Sequence, residues 1–303
     1  MIKLIGKTNI DFIAKRFAFF GISGAIILAG IISLSVKGLN LGLDFTGGTL
    51  LQVAFEQPVG IAQVRKAMSD AGIEAVIQSY TGRNAYSVRV KGKQDNVNEV
   101  ANRIIKGFET AFPGNKYTEE KRDYVGPVVG RDLAKKAMFA IILSLFGIII
   151  YVAFRFSNPI WGAAGVLALA HDVFITMTAL SLTNREIDLV VVAALLTIAG
   201  YSINDTIVIF DRIRENQKLN RKLPLEAIMN LSLNQMLGRT FITSGTVLMT
   251  VLALFLFGGK VINDFAFLML IGTFEGVYST IYLSCPIVLW WTKWFPSKSA
   301  GRK

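Results

Sequence analysis

Six long apolar runs separated by polar segments set the pattern of this chain. They lie at Phe17–Val36, Ala137–Phe156, Ile160–Leu182, Leu189–Phe210, Thr240–Phe257 and Phe265–Trp291. A membrane-spanning helix needs about 20 mainly apolar residues, so the pattern predicts six transmembrane helices. We interpret the first run as a retained span and not as a removed signal peptide, because no Ala-x-Ala-like cleavage site follows it.

Residues 37–136, between the first and second runs, have the composition of a soluble domain. Strand-like and helix-like patterns follow one another there at Thr49–Phe55, Gly60–Ala71, Glu74–Tyr80, Ala85–Val90, Asn96–Phe112 and Tyr117–Val125, with a turn at Thr81–Asn84. The order is β-α-β-β-α-β, which is typical of a ferredoxin-like α+β domain. The predicted fold is therefore an α-helical membrane protein with one ferredoxin-like domain after its first helix.

Composition supports a membrane protein and excludes other classes. Hydrophobic residues make up 52% of the chain and charged residues 17%, against about 25% charged in soluble domains. The net charge of +11 lies mostly in short segments beside apolar runs, and no aromatic-basic platform for single-stranded nucleic acid is present. We therefore expect membrane lipid around the chain and no nucleic-acid partner. Cys285 is the only cysteine, so no intramolecular disulfide is possible.

The distribution of lysine and arginine predicts the orientation of the spans. One side carries Lys3, Lys7, Lys15, Arg16, Arg155, Arg212, Arg214, Lys218, Arg221, Lys222, Arg239, Lys293, Lys298, Arg302 and Lys303; the other has Arg185 and Lys260 in its short loops. The basic side is cytoplasmic by the positive-inside rule. This puts both termini inside and the soluble domain outside.

The expected domain organisation follows from these spans. It comprises residues 1–36 (terminus and first span), 37–136 (external domain), 137–292 (the other five spans) and 293–303 (cytoplasmic tail). Within the third part, residues 211–239 form a long cytoplasmic connection of mixed charge. We expect this connection to lie on the membrane surface.

Asp205 is the first candidate for chemistry, because a carboxylate inside a bilayer costs roughly 2.5–3.5 kcal/mol and marks a functional site by default. Ser202, Asn204 and Thr206 are small polar neighbours able to hydrate it. One interpretation is a helix cap or a side chain reaching the interface. The other is a titratable group facing the bundle interior, which is favoured because four apolar residues separate Asp205 from Asp211.

Arg239 opens the fifth span at a similar depth, so a lateral pair with Asp205 is geometrically feasible. The alternative is an arginine that reaches the cytoplasmic interface. Thr243 lies one turn further along the same helical face, where its hydroxyl is able to join the network.

His171 and Asp172 lie near the middle of the third span. Histidine titrates near neutrality, so they form either a proton relay or a static pair that ties spans together. Glu275 lies deep in the sixth span without an evident partner and ranks below them. No metal-ligand spacing, cofactor loop or catalytic motif is present. The sequence thus predicts no metal, no cofactor and no enzyme activity.

Several segments together resemble the SecF subunits of the SecD/SecF family, which accompany the bacterial Sec protein-export channel. Gly47-Gly48 alone indicates only a tight turn, but Gly42, Asp44, Phe45, Gly47 and Gly48 together are similar to the family motif after the first span. Similar family motifs lie at residues 125–130, 170–172, 200–206, 211–216 and 239–246. Glu275 departs from the pattern, since a small or apolar residue is expected there.

The resemblance implies half of a transporter of the resistance-nodulation-division superfamily, with SecD as the other half, in the bacterial inner membrane. It implies use of the proton-motive force to assist preprotein translocation across the membrane or release from it. Asp205 then takes the place of the family's essential aspartate, and Arg239 that of its arginine. The implied partners are SecD, the SecYEG channel, YajC, the YidC insertase and preprotein substrates.

Two alternatives remain open at this stage. The chain is a scaffold whose polar residues only join helices, or it is half of another proton-driven exporter of the superfamily. The modest size of the external domain argues against an exporter of small molecules or lipids.

Overall fold

The structure is a computed structural model that describes residues 8–80, 83–90, 97–156 and 158–294. The side chains of Val97, Lys260 and Val261 are not described. Several predicted features lie outside the described residues: Lys3, Lys7, Thr81, Gly82, Asn96, Ser157, Lys298, Arg302 and Lys303.

The described elements follow one another in chain order. They are α1 (Arg16–Val36), β1 (Asn40–Leu41), α2 (Leu43–Thr46), β2 (Gly48–Phe55), α3 (Ile61–Asp70), β3 (Ala75–Ser79), β4 (Ala85–Val90), α4 (Val97–Ala111), β5 (Tyr117–Val125), α5 (Pro127–Arg155), α6 (Pro159–Thr183), β6 (Glu186–Ile187), α7 (Leu189–Leu219), α8 (Leu225–Phe257), α9 (Gly259–Ser279) and α10 (Cys285–Trp294). A 3₁₀ turn, Ile13–Lys15, precedes α1.

The chain divides into two compact units. One comprises residues 41–140, and the other comprises residues 1–40 and 141–303. In the first unit, β3, β4, β2 and β5 form an antiparallel sheet in that order. With α3 and α4 between the strands, this is the β-α-β-β-α-β arrangement that the hydrophobic pattern predicts.

The core of this α+β unit comes from alternating strand positions and helical faces. Leu51, Val53 and Phe55 point from β2 toward α3 and α4, because alternate residues of a strand share one face. Phe108 of α4 packs edge-on against Phe55, with ring centroids 5.2 Å apart. Apolar burial of this kind holds the two helices on one side of the sheet.

The second unit contains helices long and apolar enough to cross a membrane. With α5 included, the described residues hold six: Ile13–Val36, Pro127–Arg155, Pro159–Thr183, Leu189–Leu219, Leu225–Phe257 and Ile262–Trp294. The apolar windows of the third, fourth and sixth are 56% buried, against 11–17% for the others. The third, fourth and sixth spans therefore form the centre, and the predicted fold class is confirmed.

The ends of the central helices are fixed by polar side chains. Asn158 caps α6 by accepting from the Ile160 amide, and Pro159 occupies the first turn, where its missing N–H costs nothing. Asn184 ends the same helix in the left-handed conformation. Asp188 caps α7 by accepting from the Val191 amide at 2.8 Å. The short connection between the third and fourth spans is thus encoded locally.

The long connection predicted at residues 211–239 is helical over most of its length. Helix α7 continues to Leu219 and α8 begins at Leu225, so the two helices extend as a hairpin. Asn216 donates to Ser232 Oγ at 2.8 Å and to Gln235 Oε1 at 2.9 Å across the hairpin. These buried polar contacts satisfy side chains that would otherwise need water. They therefore explain why the mixed-charge segment stays helical.

The sixth span is interrupted by a π-helical segment at Thr280–Ser284, between α9 and α10. Pro286 follows it and has no N–H to donate to the carbonyl of Tyr282, one turn earlier. The missing bond loosens the backbone ladder at this point, which is a recognised origin of π-bulges. The segment lies beside the polar residues described below.

Candidate functional site

Asp205 lies in the part of α7 that packs against other helices, and its side chain is buried. Its Oδ2 atom has no hydrogen-bond partner among the described residues. Arg239 and Thr240 of α8 are its electrostatic neighbours. A buried, incompletely satisfied carboxylate is costly in a bilayer, which makes Asp205 the leading candidate for a functional residue.

Arg239 does not close an ion pair with Asp205 in this structure. The ion pairs found between described residues do not include these two side chains, and Arg239 itself is exposed. Near them, the Tyr201 hydroxyl donates to Ser244 Oγ at 2.9 Å and joins α7 to α8. The arginine is therefore near the carboxylate but withdrawn from it.

The small polar residues predicted to support Asp205 form their hydrogen bonds elsewhere: the hydroxyl of Ser202 bonds Asp172 and that of Thr206 bonds Thr280. Thr243 is exposed, and its hydroxyl donates to the Arg239 carbonyl of its own helix at 3.0 Å. Asn204 is also exposed. Because consecutive helical positions point about 100° apart, Asn204 and Asp205 face different surroundings.

A second polar group is centred on Asp172, which is fully buried. Its Oδ2 accepts from the Ser202 hydroxyl and from Ser279 Oγ, the latter at 2.8 Å. These bonds join α6 to both α7 and α9. Close by, the hydroxyls of Thr206 and Thr280 lie 2.8 Å apart and join α7 to the π-helical segment.

His171 connects this group to Glu275. Its Nδ1 lies 3.3 Å from Asp172 Oδ1 and 3.2 Å from Glu275 Oε1. The sequence singled out Glu275 as an acid without a partner, and the fold supplies the partner. Ser279 was missed, because one serine in an apolar run carries no signal of its own.

His171, Asp172 and Glu275 also offer three ligand atoms that lie within 4.8 Å of one another. The prediction of no metal set was based on sequence spacing, which does not detect ligands from separate helices. However, Asp172 Oδ2 is already engaged by two serine hydroxyls. We therefore describe the trio as an acid–imidazole hydrogen-bonding cluster.

The two glycine-containing motifs at either end of the α+β unit meet each other. A Cβ at Gly130 would lie 3.0 Å from the Gly47 amide nitrogen and 3.3 Å from the Phe45 carbonyl oxygen. Gly47 has φ of +68° and ends α2, whose first turn contains Asp44 and which is preceded by Gly42. Gly48 then opens β2, opposite Val125 of β5. The motif is thus a compact backbone junction.

These features define a class: a multi-pass membrane protein with six spans, one small α+β unit and buried acidic groups among its central helices. The family model described as SecD/SecF C-terminal matches residues 106–294, and that of the SecD/SecF GG motif matches residues 32–59. The chain belongs to the SecD/SecF family of protein-export membrane proteins.

Full-length relatives point to one branch of the family. The chain is 42% identical to the protein translocase subunit SecF of Endomicrobium trichonymphae, covering 94% of this chain and 92% of that one. It is 44% identical to SecF of Calditerrivibrio nitroreducens, covering 93% of each. With SecF of Escherichia coli O157:H7 it shares 42% identity over 94% of this chain and 88% of that protein.

Solved structures show the same fold. A crystal structure of SecDF from Thermus thermophilus, described as a translocon-associated membrane protein, superposes with a TM-score of 0.85 at 37% identity. SecDF in a form called super-membrane-facing gives 0.71 at 36% identity. This chain is covered to 94% and 99%, but spans only 39% and 41% of those SecDF chains.

Proposed function

We propose that this chain works with SecD as a SecF-type subunit that uses the proton-motive force to assist preprotein translocation across the membrane or release from it. Asp205 is the proton carrier. The observation that carries the proposal is its buried carboxylate, whose Oδ2 atom has no hydrogen-bond partner among the described residues. Such an oxygen favours a bound proton, since burial penalises the charged form.

Arg239 gives the carrier two states. In this structure the arginine is exposed and forms no ion pair with Asp205 among the pairs of the described residues. Approach of Arg239 would stabilise ionised Asp205 and release the proton, whereas withdrawal favours uptake. A movement of α8 relative to α7 therefore couples proton transfer to conformation.

The available energy sets the scale of this movement. One proton crossing about 100 mV releases roughly 2.3 kcal/mol, and each pH unit of gradient adds about 1.4 kcal/mol. This is sufficient to bias a two-state motion, but not to unfold a preprotein in a single step.

An exposed polar face on α7 and α8 supports SecD as the partner. Arg239, Thr243, Thr246 and Thr250 follow one another along α8 at spacings of four, three and four residues, and all are exposed. On α7, Thr197, Gly200 and Asn204 are exposed as well. Small and polar residues are what helix contacts in membranes use, so a second membrane subunit fits this face better than lipid.

The remaining assignments rest on the family and on the charge pattern. The protein acts in the bacterial inner membrane with both termini cytoplasmic, and residues 37–136 form the periplasmic domain that handles the preprotein. Residues 1–36, 137–292 and 293–303 form the first span, the five-span bundle and the tail. SecYEG, YajC and the YidC insertase are the further partners that we propose; the role is one of transport and not of catalysis.

Asp205→Asn tests the function directly. Inverted membrane vesicles or proteoliposomes containing the Sec channel, SecD and the variant are energised with a proton gradient, and export of a preprotein is measured with and without the gradient. We expect the gradient-dependent part of export to be lost, because the side chain of asparagine cannot bind and release a proton as a carboxylate does. The amount of assembled subunit should be unchanged.

Two control variants make this experiment specific. Asp132→Asn removes an exposed carboxylate whose ion pair among the described residues is with Lys136 on its own helix, and should leave export unchanged. Asp205→Glu keeps a titratable group and should retain part of the activity. Normal gradient-dependent export by Asp205→Asn would contradict the proposal and favour the scaffold alternative.

A further inference from the structure

A second group of titratable side chains lies apart from Asp205, in the contact between α6 and α9. The side chains of His171, Asp172 and Glu275 are 5%, 0% and 13% exposed. His171 Nδ1 faces both carboxylates, at 3.3 Å from Asp172 Oδ1 and 3.2 Å from Glu275 Oε1. One ring nitrogen between two acids carries at most one hydrogen, so both carboxylates cannot be satisfied by it.

The two acids of the cluster differ in their hydroxyl donors. Asp172 Oδ2 receives hydrogen bonds from Ser202 and Ser279, and these favour the charged form. Glu275 Oε1 is buried and accepts no hydrogen bond from the described residues. A second negative charge this close to Asp172 and without a donor would be costly. Glu275 is therefore the acid of the cluster whose buried oxygen lacks a donor among the described residues.

A protonated Glu275 resolves the unsatisfied oxygen. In that state its O–H would donate to His171 Nδ1, which lies 3.2 Å from Glu275 Oε1. If the proton moves, the O–H bond of Glu275 breaks and an N–H bond forms at Nδ1. His171 is then an imidazolium that donates to Asp172 Oδ1 at 3.3 Å. The net charge of the three groups is −1 before and after this step, so the transfer needs no further ion.

The surroundings contain few other groups able to take part. Tyr278 of α9 stacks on the His171 ring with centroids 6.3 Å apart, and its hydroxyl is bonded to Ser23 of α1. Of the described residues of α7, Ser202 is the one whose hydroxyl bonds to the cluster. The ion pairs that the described residues form with His171 are those to Asp172 and Glu275.

We propose that Glu275 is a second proton-carrying residue of this chain, with His171 as the acceptor of its proton. Glu275 is the member of the cluster that exchanges protons with the surroundings. Its side chain is 13% exposed, whereas those of His171 and Asp172 are 5% and 0% exposed. The inference deepens the proposed proton-driven function and rests on it. Ser202, bonded to Asp172, lies three residues before Asp205 on α7, so a change in the cluster acts on the helix that carries Asp205.

Histidine nuclear magnetic resonance tests this proposal, because His171 is the only histidine of the chain. The full-length protein, carried on a histidine-free affinity tag, is labelled with ¹⁵N-histidine and placed in lipid bilayers. The ring nitrogen signals are then followed against pH. We expect two coupled titration steps in the unchanged protein, since interacting groups titrate as a pair.

Glu275→Gln should reduce the curve to a single step, whereas Asp205→Asn should keep both steps. Identical curves for the unchanged protein and Glu275→Gln would overturn the proposal. Should Glu275→Gln fail to fold, infrared spectroscopy of the unchanged protein labelled with ¹³C-glutamate provides the second test. A protonated glutamic acid carbonyl band at neutral pH is expected, and its absence overturns the inference.

The two proposals can fail separately. If Asp205→Asn exports normally, the proposed function fails even when the histidine signals titrate in two steps. If Glu275→Gln leaves the titration unchanged while Asp205→Asn abolishes gradient-dependent export, only the inference about Glu275 fails.

Discussion

Gly47 and Gly72 have nearly the same backbone angle but different surroundings. Their φ values are +68° and +65°. A Cβ at Gly47 would lie 2.9 Å from the Pro127 Cα atom, whereas a Cβ at Gly72 would have nothing within 4 Å. Both positions favour glycine because of the positive φ. Only at Gly47 would an added Cβ also collide with backbone atoms of Pro127, which cannot move aside as a side chain can.

Gly47→Ala should therefore destabilise the α+β unit more than Gly72→Ala. We expect about 1–2 kcal/mol from the left-handed angle at either position, and a further 1–3 kcal/mol from overpacking at Gly47. Hydrogen exchange of β2 and β5 amides in the full-length protein measures the difference. Equal loss of protection in the two variants would show that the contact with Pro127 is not important.

At the level of individual residues, the sequence identified chemistry but not its geometry. Asp205, His171 and Asp172 were recognisable because ionisable groups are costly in apolar runs. Asn204 and Thr243 were named as supporting residues because they are polar and close in sequence to Asp205 and Arg239, yet the structure exposes both. Whether a side chain faces a neighbour depends on the rotation of the helix, which short spacing rules do not fix.

At the level of elements, the contact between α7 and α9 is unusually close. A Cβ at Gly272 would lie 2.6 Å from three side-chain atoms of Ile198, and one at Gly276 would lie 3.3 Å from the Ser202 Cα atom. Glycine on α9 thus allows the backbone of α7 to approach. Small residues at helix contacts are the usual means of association in membranes, and here they bring Ser202 of α7 close to α9.

Gly272→Ala should loosen this contact. Alanine gains up to about 1 kcal/mol of helix propensity over glycine, but overpacking against Ile198 costs about 1–3 kcal/mol, so the net effect is a lower thermal unfolding midpoint in detergent. Gly200→Ala is the matched control, because a Cβ there would have nothing within 4 Å. A midpoint for Gly272→Ala as high as that of the control would contradict the close packing.

The extended hairpin of α7 and α8 shows where periodicity alone was insufficient. Hydrophobicity ends near Phe210, so the following mixed-charge residues were expected to form a connection on the membrane surface. The buried contact of Asn216 with Ser232 stabilises both helices beyond the apolar run. Such a pair lies 16 residues apart in sequence and becomes visible only after the hairpin has formed.

At the level of the whole molecule, the exposed polar face of α7 and α8 is the surface that we assign to SecD. Thr246 lies in the middle of the exposed threonines of α8. A threonine that faces lipid adds little stability. Against a second helix, its small side chain allows close approach and its hydroxyl is able to form a hydrogen bond.

Thr246→Trp should therefore prevent association with SecD while leaving the chain itself folded. We expect the amount of SecD that co-purifies with the variant to fall at least about tenfold, which corresponds to about 1.4 kcal/mol. Ile142→Trp places the same bulk on the exposed face of α5 and should have no effect. If as much SecD co-purifies with Thr246→Trp as with the unchanged protein, SecD does not bind at this face.

The sequence by itself determined the six spans, the order of the α+β unit and the family, because each depends on local hydrophobicity or on contiguous motifs. It also identified Asp205 and Arg239 as candidates from their depth. Only the tertiary structure decided that Arg239 stands withdrawn, that Glu275 has a partner in His171, and that Ser202 and Ser279 meet on Asp172. These contacts join separate helices, and their formation depends on helix rotation and close approach, which the one-dimensional pattern of apolar residues does not specify.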